Sequence, residues 1–116
     1  MIQSIGVDIV DNNRIKEQIN NNAFIKRILS AKEYEVFESF SLEKRKIEYL
    51  AGRFASKEAI FKAIKVAEKT INYKDISILN DENQAPYVEF DYLKDKKIHI
   101  SISHETNMTI AFVIIE

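Results

Sequence analysis

One long stretch of helical periodicity, residues 42–67, constrains the fold of this 116-residue chain more than any other feature. Ser41 and the acidic Glu43 give it a suitable start, proline is absent from it, and only Gly52 interrupts it. Apolar side chains cover most of its circumference at 100° per residue: Leu50, Phe54 and Phe61 on one face, and Ile60, Ala63, Ile64 and Ala67 on another. A helix that is apolar nearly all round must be packed on several sides. The other elements are therefore predicted to surround it.

The rest of the chain divides into a helical first half and a second half of strands. A buried strand is predicted at 5–10, followed by helical segments at roughly 13–20, 23–29 and 31–40, the last with a capping box from Ser30 to Glu33. Further strands are predicted at 76–79, 87–91, 98–103 and 110–115. This order predicts an α+β fold, with a mainly antiparallel sheet packed on the long central helix. The length suits a single domain, 1–116.

Composition excludes several classes of protein. Seventeen basic and eighteen acidic residues give a formal net charge of -1. This near-neutral charge argues against a protein that mainly binds nucleic acid or the surface of an anionic membrane. Cysteine is absent, which excludes disulfides, thiolate metal sites and cysteine nucleophiles. Two histidines are too few for a three-histidine zinc site. The sequence shows neither a targeting segment nor an apolar run of membrane-spanning length, so a cytoplasmic protein with no membrane partner is expected.

Ionisable residues within apolar segments are the first candidates for chemistry. Asp8 lies inside a predicted strand, where a carboxylate is costly unless it is paired or binds a cation. A hydrogen bond from nearby backbone at the strand end would satisfy it equally well. Glu58 and Lys62 are i and i+4 on the long helix, and the alternative to a site is a surface ion pair worth a few tenths of a kcal/mol. Gly52 costs about 1 kcal/mol relative to alanine, which indicates a close approach to the helix backbone or a helix bend.

A third cluster, residues 101–105, ends a strand with Ser103 and His104. Neighbouring strand residues face opposite sides and no nucleophile elbow is present, so phosphate binding suits this pair better than nucleophilic catalysis. Two carboxylates, phosphate oxygens and water are the ligands that magnesium prefers, and Arg53 and Lys62 would neutralise further phosphate charge. The residues alone therefore indicate a magnesium-dependent phosphate-ester enzyme without identifying its substrate.

Three segments also carry a specific resemblance to a known family. They read GVDIV at 6–10, GRFASKEAIFKA at 52–63 and SISHE at 101–105. In this order and at this spacing they resemble the holo-acyl-carrier-protein synthases, the small bacterial type of 4′-phosphopantetheinyl transferase. The resemblance covers nearly the whole chain. It implies the 4′-phosphopantetheinyl transferase fold, assembled as a homotrimer with active sites at the subunit interfaces.

The activity implied by the resemblance is transfer of 4′-phosphopantetheine from coenzyme A to a serine of apo-acyl carrier protein for fatty acid synthesis. Adenosine 3′,5′-bisphosphate is the other product. The resemblance implies that Asp8 and Glu58 hold Mg²⁺, which bridges the pyrophosphate of coenzyme A. Lys62 then lies beside the phosphates as a candidate for protonating the leaving group. Arg53 and His104 match positions that are associated with binding coenzyme A.

Two segments depart from the family pattern. The family's Gly-x-Pro in the later sheet reads Gln84-Ala85-Pro86 here, in a loop that contributes to the coenzyme site, and Lys65 replaces a glycine that follows the central motif. An acidic carrier protein calls for a basic docking surface, for which Arg14 and Arg27, with the neighbouring Lys16 and Lys26, are the candidates. An ordinary solvated helix face is the alternative explanation of those four charges.

Two rival functions stay open at this point. One is a different magnesium-dependent nucleotide or phosphate-ester enzyme on a similar scaffold. The other is a trimeric module that binds a nucleotide or a carrier protein without turnover, against which the intact Asp8, Glu58 and Lys62 argue. A transfer assay with coenzyme A and apo-acyl carrier protein discriminates among the three.

Overall fold

The computed structural model describes residues 1–64 and 71–116. Its helices and strands are β1 (Ser4–Asp11), α1 (Asn12–Lys16), α2 (Asn22–Ile28), α3 (Ala31–Ser39), α4 (Glu43–Ile64), β2 (Ile76–Asn80), β3 (Pro86–Phe90), β4 (Ile98–His104) and β5 (Met108–Ile115). Short 3₁₀ turns at Tyr73–Asp75 and Asp91–Leu93 precede β2 and follow β3. The predicted α+β fold with one long helix is confirmed.

The five strands form two antiparallel sheets. One has three strands in the order β1-β5-β4, and the other pairs β2 with β3. The first strand of the chain therefore lies beside the last, with Asp8 opposite Ala111. Residues of β1 alternate between the two sheet faces, so Asp8 shares the face of the buried Gly6 and Val10, which is turned towards α4.

Helix α4 packs closely against the three-stranded sheet because small residues line one side of it. Four alanines at i, i+4 spacing are 0–2% exposed: Ala51, Ala55, Ala59 and Ala63. A Cβ atom at Gly6 would collide with the carbonyl oxygen of Ala59 and lie 3.0 Å from the backbone nitrogen of Ala63. Strand β1 therefore rests directly on the backbone of α4, and only glycine fits at position 6. This contact brings Asp8 over the helix.

A buried ion pair joins α4 to the elements on its other side. Lys57 and Glu33 are both fully buried, and the Lys57 ammonium donates to the Glu33 carboxylate and to the carbonyl of Ile28, at 2.7 Å. Glu33 also accepts from the backbone nitrogens of Ser30, at 2.9 Å, and Ile78, at 2.7 Å. Burial lowers the pKa of Lys57, and the charge of Glu33 opposes that shift. One carboxylate thus fastens α3, α4 and β2 together.

The outer face of the three-stranded sheet is apolar and exposed. Its large side chains are 41–59% exposed: Ile5, Val7, Ile9, Ile110 and Phe112. The strand at 98–104 also carries isoleucines on one face: Ile98, Ile100 and Ile102. The isoleucines of that strand pack against the core on the inner side, so the uncovered apolar surface belongs to β1 and β5.

Element boundaries agree with the prediction except around α1 and α4. Helix α1 ends at Lys16, because the next bonds tighten to i+3: Gln18 and Ile19 donate to the carbonyls of Ile15 and Lys16. Helix α4 begins at Glu43, and the predicted end at 65–67 lies outside the described residues. Among the described helices, none has the length and apolar character needed to cross a bilayer.

Candidate active site

Asp8, Lys62 and Glu58 come together where β1 crosses α4. Lys62 Nζ donates to Asp8 Oδ1 at 2.9 Å and to the carbonyl oxygen of Val7 at 3.2 Å. The Asp8 side chain is 15% exposed, whereas that of Lys62 is 57% exposed. The ammonium therefore reaches solvent while it covers a nearly buried carboxylate. Lys62 thus forms its ion pair with Asp8 of β1, and not the i, i+4 surface pair with Glu58 that was the alternative to a site.

Tyr73 adds an aromatic hydroxyl to this group. It stacks on Phe54, with ring centroids 5.8 Å apart, and meets Phe61 edge-on at 5.2 Å. Its hydroxyl donates to Glu58 Oε1. Burial raises the pKa of Tyr73 most, followed by the hydrogen bond to Glu58, and the charge of Asp8 contributes as well. The phenol thus stays protonated as a donor, and both carboxylates act on it.

The chemistry of Asp8 and Glu58 fits a hard divalent cation. Carboxylate oxygens are the ligands that Mg²⁺ accepts, together with water and phosphate. The hydrogen bonds above use Asp8 Oδ1 and Glu58 Oε1, and each carboxylate carries a second oxygen. Within residues 1–64 and 71–116, no cluster of three or more acidic or histidine side chains could hold a metal alone. The two carboxylates therefore suit a cation that takes its other ligands from water and a phosphate substrate.

Arg53 lies elsewhere, at the β2–β3 hairpin. Its side chain is buried, and its Nε donates to the carbonyl of Ile78 at 3.1 Å while Nη2 approaches Asn80 Oδ1 at 3.4 Å. Asn80 is the register partner of Pro86, so Arg53 and Pro86 belong to one hairpin end. The guanidinium lies 4.0 Å from the ring centre of Tyr49, whose pKa burial raises to about 12. A cavity of about 610 Å³ opens beside Arg53 and Tyr49.

His104 occupies a third place, at the end of β4. It lines a cavity of about 690 Å³ with Lys16 and Lys44. Its Nδ1 lies 2.9 Å from the hydroxyl of Thr109. A Cβ atom at Gly52 would lie 3.3 Å from His104 Cε1, so the imidazole is the group that approaches α4 where the sequence places a glycine. Burial lowers the pKa of His104, and nearby charges have smaller effects.

Basic side chains flank the carboxylate group. Arg27, Lys26 and Lys74 line a cavity of about 560 Å³ together with Tyr73. The charge of Arg27 also acts on the Tyr73 hydroxyl, so this surface borders the Asp8, Glu58 and Lys62 group directly. Arg14 lines a smaller cavity of about 150 Å³. Of the four cations predicted near the first helices, Arg27 and Lys26 therefore border the candidate catalytic group together with Lys74, whereas Arg14 and Lys16 line other cavities.

The predicted site residues thus fall into separate groups. Asp8, Glu58 and Lys62 share one place, while Arg53 and His104 lie at two others. The spacing of Arg53 and Lys62 puts them on opposite sides of α4. Within one copy of the chain, Arg53 and His104 therefore line separate cavities, and Arg53 lies on the far side of α4 from Lys62.

Comparison with known proteins identifies the family. A model of the 4′-phosphopantetheinyl transferase superfamily matches residues 4–113. The chain belongs to this superfamily. It is 47% identical to a holo-[acyl-carrier-protein] synthase of Acholeplasma laidlawii over 116 residues, which cover 100% of this chain and 98% of that protein. It is 48% identical to one of a Geobacillus species over 118 residues, with 100% and 98% covered.

Solved structures of the superfamily share the fold. A holo-(acyl-carrier-protein) synthase from Bacillus anthracis, in complex with CoA (3′,5′-ADP), superimposes with a TM-score of 0.90 at 35% identity, covering 100% of this chain and 97% of that one. The Helicobacter pylori enzyme, in complex with coenzyme A, gives a TM-score of 0.81 at 31% identity, with 97% and 99% covered. The predicted 4′-phosphopantetheinyl transferase fold is confirmed.

Several residues of the candidate site were not predicted from the sequence. Tyr73 follows residues 65–70, which include Lys65 and lie outside the described structure, and no periodic pattern marks it. Thr109 lies in an apolar strand, where a threonine commonly serves only packing, so its sequence context gives no signal. Ser103, which was paired with His104 as a phosphate ligand, alternates to the opposite face of β4. Lys57 lies outside the site and was not predicted either, although its place on the apolar side of the helix, three residues from both Phe54 and Ile60, was a signal.

Proposed function

We propose that this chain transfers the 4′-phosphopantetheine group of coenzyme A to a serine of apo-acyl carrier protein. The observation that carries the proposal is the pairing of Asp8 with Lys62 at the β1–α4 crossing, with Glu58 and Asp8 both acting on Tyr73, in a superfamily member. Its relatives bear the name holo-[acyl-carrier-protein] synthase, and coenzyme A occupies related structures.

In the proposed reaction, the serine oxygen attacks the phosphorus that carries the pantetheine arm. A phosphorus–oxygen bond to serine forms, the pyrophosphate bond to the adenosine bisphosphate breaks, and the proton of the serine hydroxyl passes to water. Negative charge accumulates on the leaving phosphate. Lys62 is suited to stabilise that charge, because its ammonium is over half exposed and needs only a side-chain rotation to leave Asp8.

Magnesium is the proposed cofactor, with Asp8 and Glu58 as its protein ligands. When bound, it would supply neutralisation of the pyrophosphate charge. The Tyr73 hydroxyl would hold one oxygen of Glu58 in place, because its aromatic neighbours Phe54 and Phe61 restrict the ring.

Arg53, His104 and Pro86 are the proposed coenzyme contacts. Arg53 is buried and hydrogen-bonded to the β2–β3 hairpin, so its first role is to hold the loop before Pro86. A contact with a phosphate would use the part of the guanidinium that does not bond to the hairpin. His104 lies with Lys16 and Lys44 on a cavity large enough for part of a nucleotide. A cation-lined cavity of this kind suits the phosphate groups of coenzyme A.

The complete site is proposed to form between subunits of a homotrimer. Support comes from two features of the single chain: its candidate residues face different ways, and the outer face of β1 and β5 leaves large apolar side chains uncovered. Contiguous apolar surface of this kind marks interaction sites in soluble proteins. The acidic carrier protein is proposed to dock on the basic surface of Arg14, Arg27, Lys26 and Lys74, beside Tyr73.

Mass spectrometry of the carrier protein tests the activity. Apo-acyl carrier protein incubated with coenzyme A, Mg²⁺ and this protein should gain the mass of one phosphopantetheine group. Asp8→Asn should lower the rate by about a hundredfold or more, because pyrophosphate charge goes unneutralised. Asp95→Asn, at an exposed position, is the matched control and should keep the parental rate. A chelator should abolish transfer and added Mg²⁺ restore it; transfer that persists in Asp8→Asn would remove Asp8 from the site.

A further inference from the structure

A chain of hydrogen bonds links Asn12, Thr109 and His104 beside the larger cavity. Asn12 Nδ2 donates to the backbone carbonyl of Glu105 at 3.2 Å and approaches that of Thr106 at 3.5 Å. Carbonyl oxygens only accept, so these two partners settle which end of the amide carries the nitrogen. The amide oxygen of Asn12 is therefore an acceptor, and the hydroxyl of Thr109 donates to it at 2.7 Å.

The direction of this chain determines where the His104 proton lies. A threonine hydroxyl has one proton, and that of Thr109 is committed to Asn12. The 2.9 Å contact between Thr109 Oγ1 and His104 Nδ1 therefore requires Nδ1 to donate. Thr109 is fully buried and Asn12 is 6% exposed, so reversing the chain would leave a buried oxygen without its donor. Neutral His104 is thus the Nδ1–H tautomer, with a lone pair on Nε2.

The Nε2 atom of His104 lies against α4 at the wall of the cavity. A Cβ atom at Gly52 would be 3.6 Å from it, which places the ring edge on that turn of the helix. Five charged side chains share its cavity: Glu43, Lys44 and Glu48 from α4, Lys16 from α1, and Glu105 from the β4–β5 turn. The charge of Arg53, on the neighbouring turn of α4, also acts on the ring. A lone pair in this position repels a phosphate oxygen, whereas a protonated Nε2 donates to it with charge assistance.

We propose that Asn12 and Thr109 are positioning residues that lock His104 as the Nδ1–H tautomer, so that His104 takes up a proton when a phosphate of coenzyme A binds at Nε2. The identity of the phosphate ligand rests on the proposed function; the tautomer lock does not. Burial lowers the pKa of free His104, with Arg53 acting in the same direction and Glu48 against it, so the free ring is mainly neutral at neutral pH and has a proton to gain. Phosphate affinity therefore rises as the pH falls through the pKa that His104 has in the complex.

Long-range ¹H–¹⁵N spectra of the histidine rings test the lock without any ligand. At a pH where both histidines are neutral, His104 should show the Nδ1–H pattern. Thr109→Val should move it towards the Nε2–H pattern, because Nδ1 then loses its acceptor, and Thr109→Ser should restore the parental spectrum. Thr106→Val, in the adjacent turn, is the matched control, and His99 is an internal reference in every spectrum. An Nε2–H pattern in the parent, or an unchanged pattern in Thr109→Val, would overturn the lock.

Calorimetry with adenosine 3′,5′-bisphosphate tests the proton uptake. Titrations near pH 8 in buffers of different ionisation enthalpy give the number of protons taken up per ligand. The parent should take up more than His104→Gln, whose amide donates without titrating, and by at most one proton. Thr109→Val should fall between the two, because its neutral ring can offer Nε2–H directly. Equal uptake in all three proteins would refute the coupling, as would the absence of binding.

The two arms separate this proposal from the proposed function. Loss of the transfer activity with the tautomer and the proton uptake intact would reject the enzyme and keep the lock. A functioning transferase with no difference in uptake between the parent and His104→Gln would keep the enzyme and reject the coupled proton uptake.

Discussion

Gln84 holds a left-handed backbone conformation in the turn between β2 and β3, with φ at 64°. Asp81 keeps the turn closed, since its carboxylate accepts from the backbone nitrogens of Asn83, at 2.8 Å, and Ala85, at 3.0 Å. A side chain in this conformation costs roughly 1–2 kcal/mol, which glycine avoids. The family resemblance places a glycine here, so this chain keeps the turn at a cost in stability.

Replacing Gln84 with glycine should therefore stabilise the protein. Removal of the left-handed strain outweighs the extra freedom that glycine gives the unfolded chain, and the free energy of unfolding should rise by about 0.5–1 kcal/mol. Urea denaturation of the two proteins measures the difference. Gln84→Ala keeps a Cβ atom and is the control, for which no gain is expected. A loss of stability in Gln84→Gly would show that the Gln84 side chain contributes contacts that offset the strain.

At the scale of single residues, the sequence predicted the site wherever a residue type is unfavourable in its local segment. Asp8 is a carboxylate among apolar strand residues and Gly52 is a glycine inside a helix; the structure gives each a specific partner, Lys62 and His104 respectively. Tyr73 and Thr109, in contrast, are ordinary residue types for the segments in which they lie. Their roles depend on hydrogen bonds to residues far along the chain, which no short-range pattern encodes.

At the scale of helices and strands, α4 is the element on which the others pack. The start of this helix and its apolar circumference were predictable from the helical periodicity and from Ser41 and Glu43, and the order of the strands along the chain was predictable as well. The division of the strands into two sheets was not, because every predicted strand is compatible with several antiparallel partners. Likewise, the sequence shows a capping box at Ser30 and Glu33, whereas the same carboxylate also accepts from Lys57 and from Ile78 of β2.

The buried pair of Lys57 and Glu33 should be strongly coupled. Lys57→Met leaves the buried Glu33 carboxylate without its counter-charge and should destabilise the fold by about 3–5 kcal/mol. Adding Glu33→Gln removes that charge while an amide oxygen can still accept from one of the backbone nitrogens. The double variant should therefore be less destabilised than the sum of the single changes, by urea denaturation. Strict additivity would mean that the pair contributes through packing alone.

On the scale of the whole molecule, the small net charge conceals a basic surface beside the candidate catalytic group. Arg14→Glu and Arg27→Glu place like charges against an acidic carrier protein, and charge reversal at a rim mainly slows association. The KM for the carrier protein should rise at low salt, while the KM for coenzyme A stays nearly unchanged. Lys94→Glu makes the same change in net charge at an exposed position that lines neither of the cavities beside Arg14 and Arg27, and it is the control. Steady-state kinetics at two salt concentrations decide; equal effects in all three variants would place the docking surface elsewhere.

The exposed sheet face makes the sharpest prediction about assembly. Phe112 lies on the central strand opposite Val7, with both side chains on the outer face, 43% and 48% exposed. If three copies bury this face, Phe112→Glu places a charge from each copy in a dry interface, where an unpaired charge is strongly unfavourable. Light scattering should report three times 13.5 kDa for the parent and a smaller species for the variant.

Activity should be lost together with assembly, because separated copies present Asp8, Arg53 and His104 on different surfaces. Leu42→Glu changes another exposed apolar residue, 66% exposed just before α4, and should remain both assembled and active. Circular dichroism distinguishes loss of assembly from loss of folding, and the variant should keep the parental helical signal. A folded Phe112→Glu variant that is monomeric and fully active would show that one chain suffices for the reaction, and the site between subunits would then have to be abandoned.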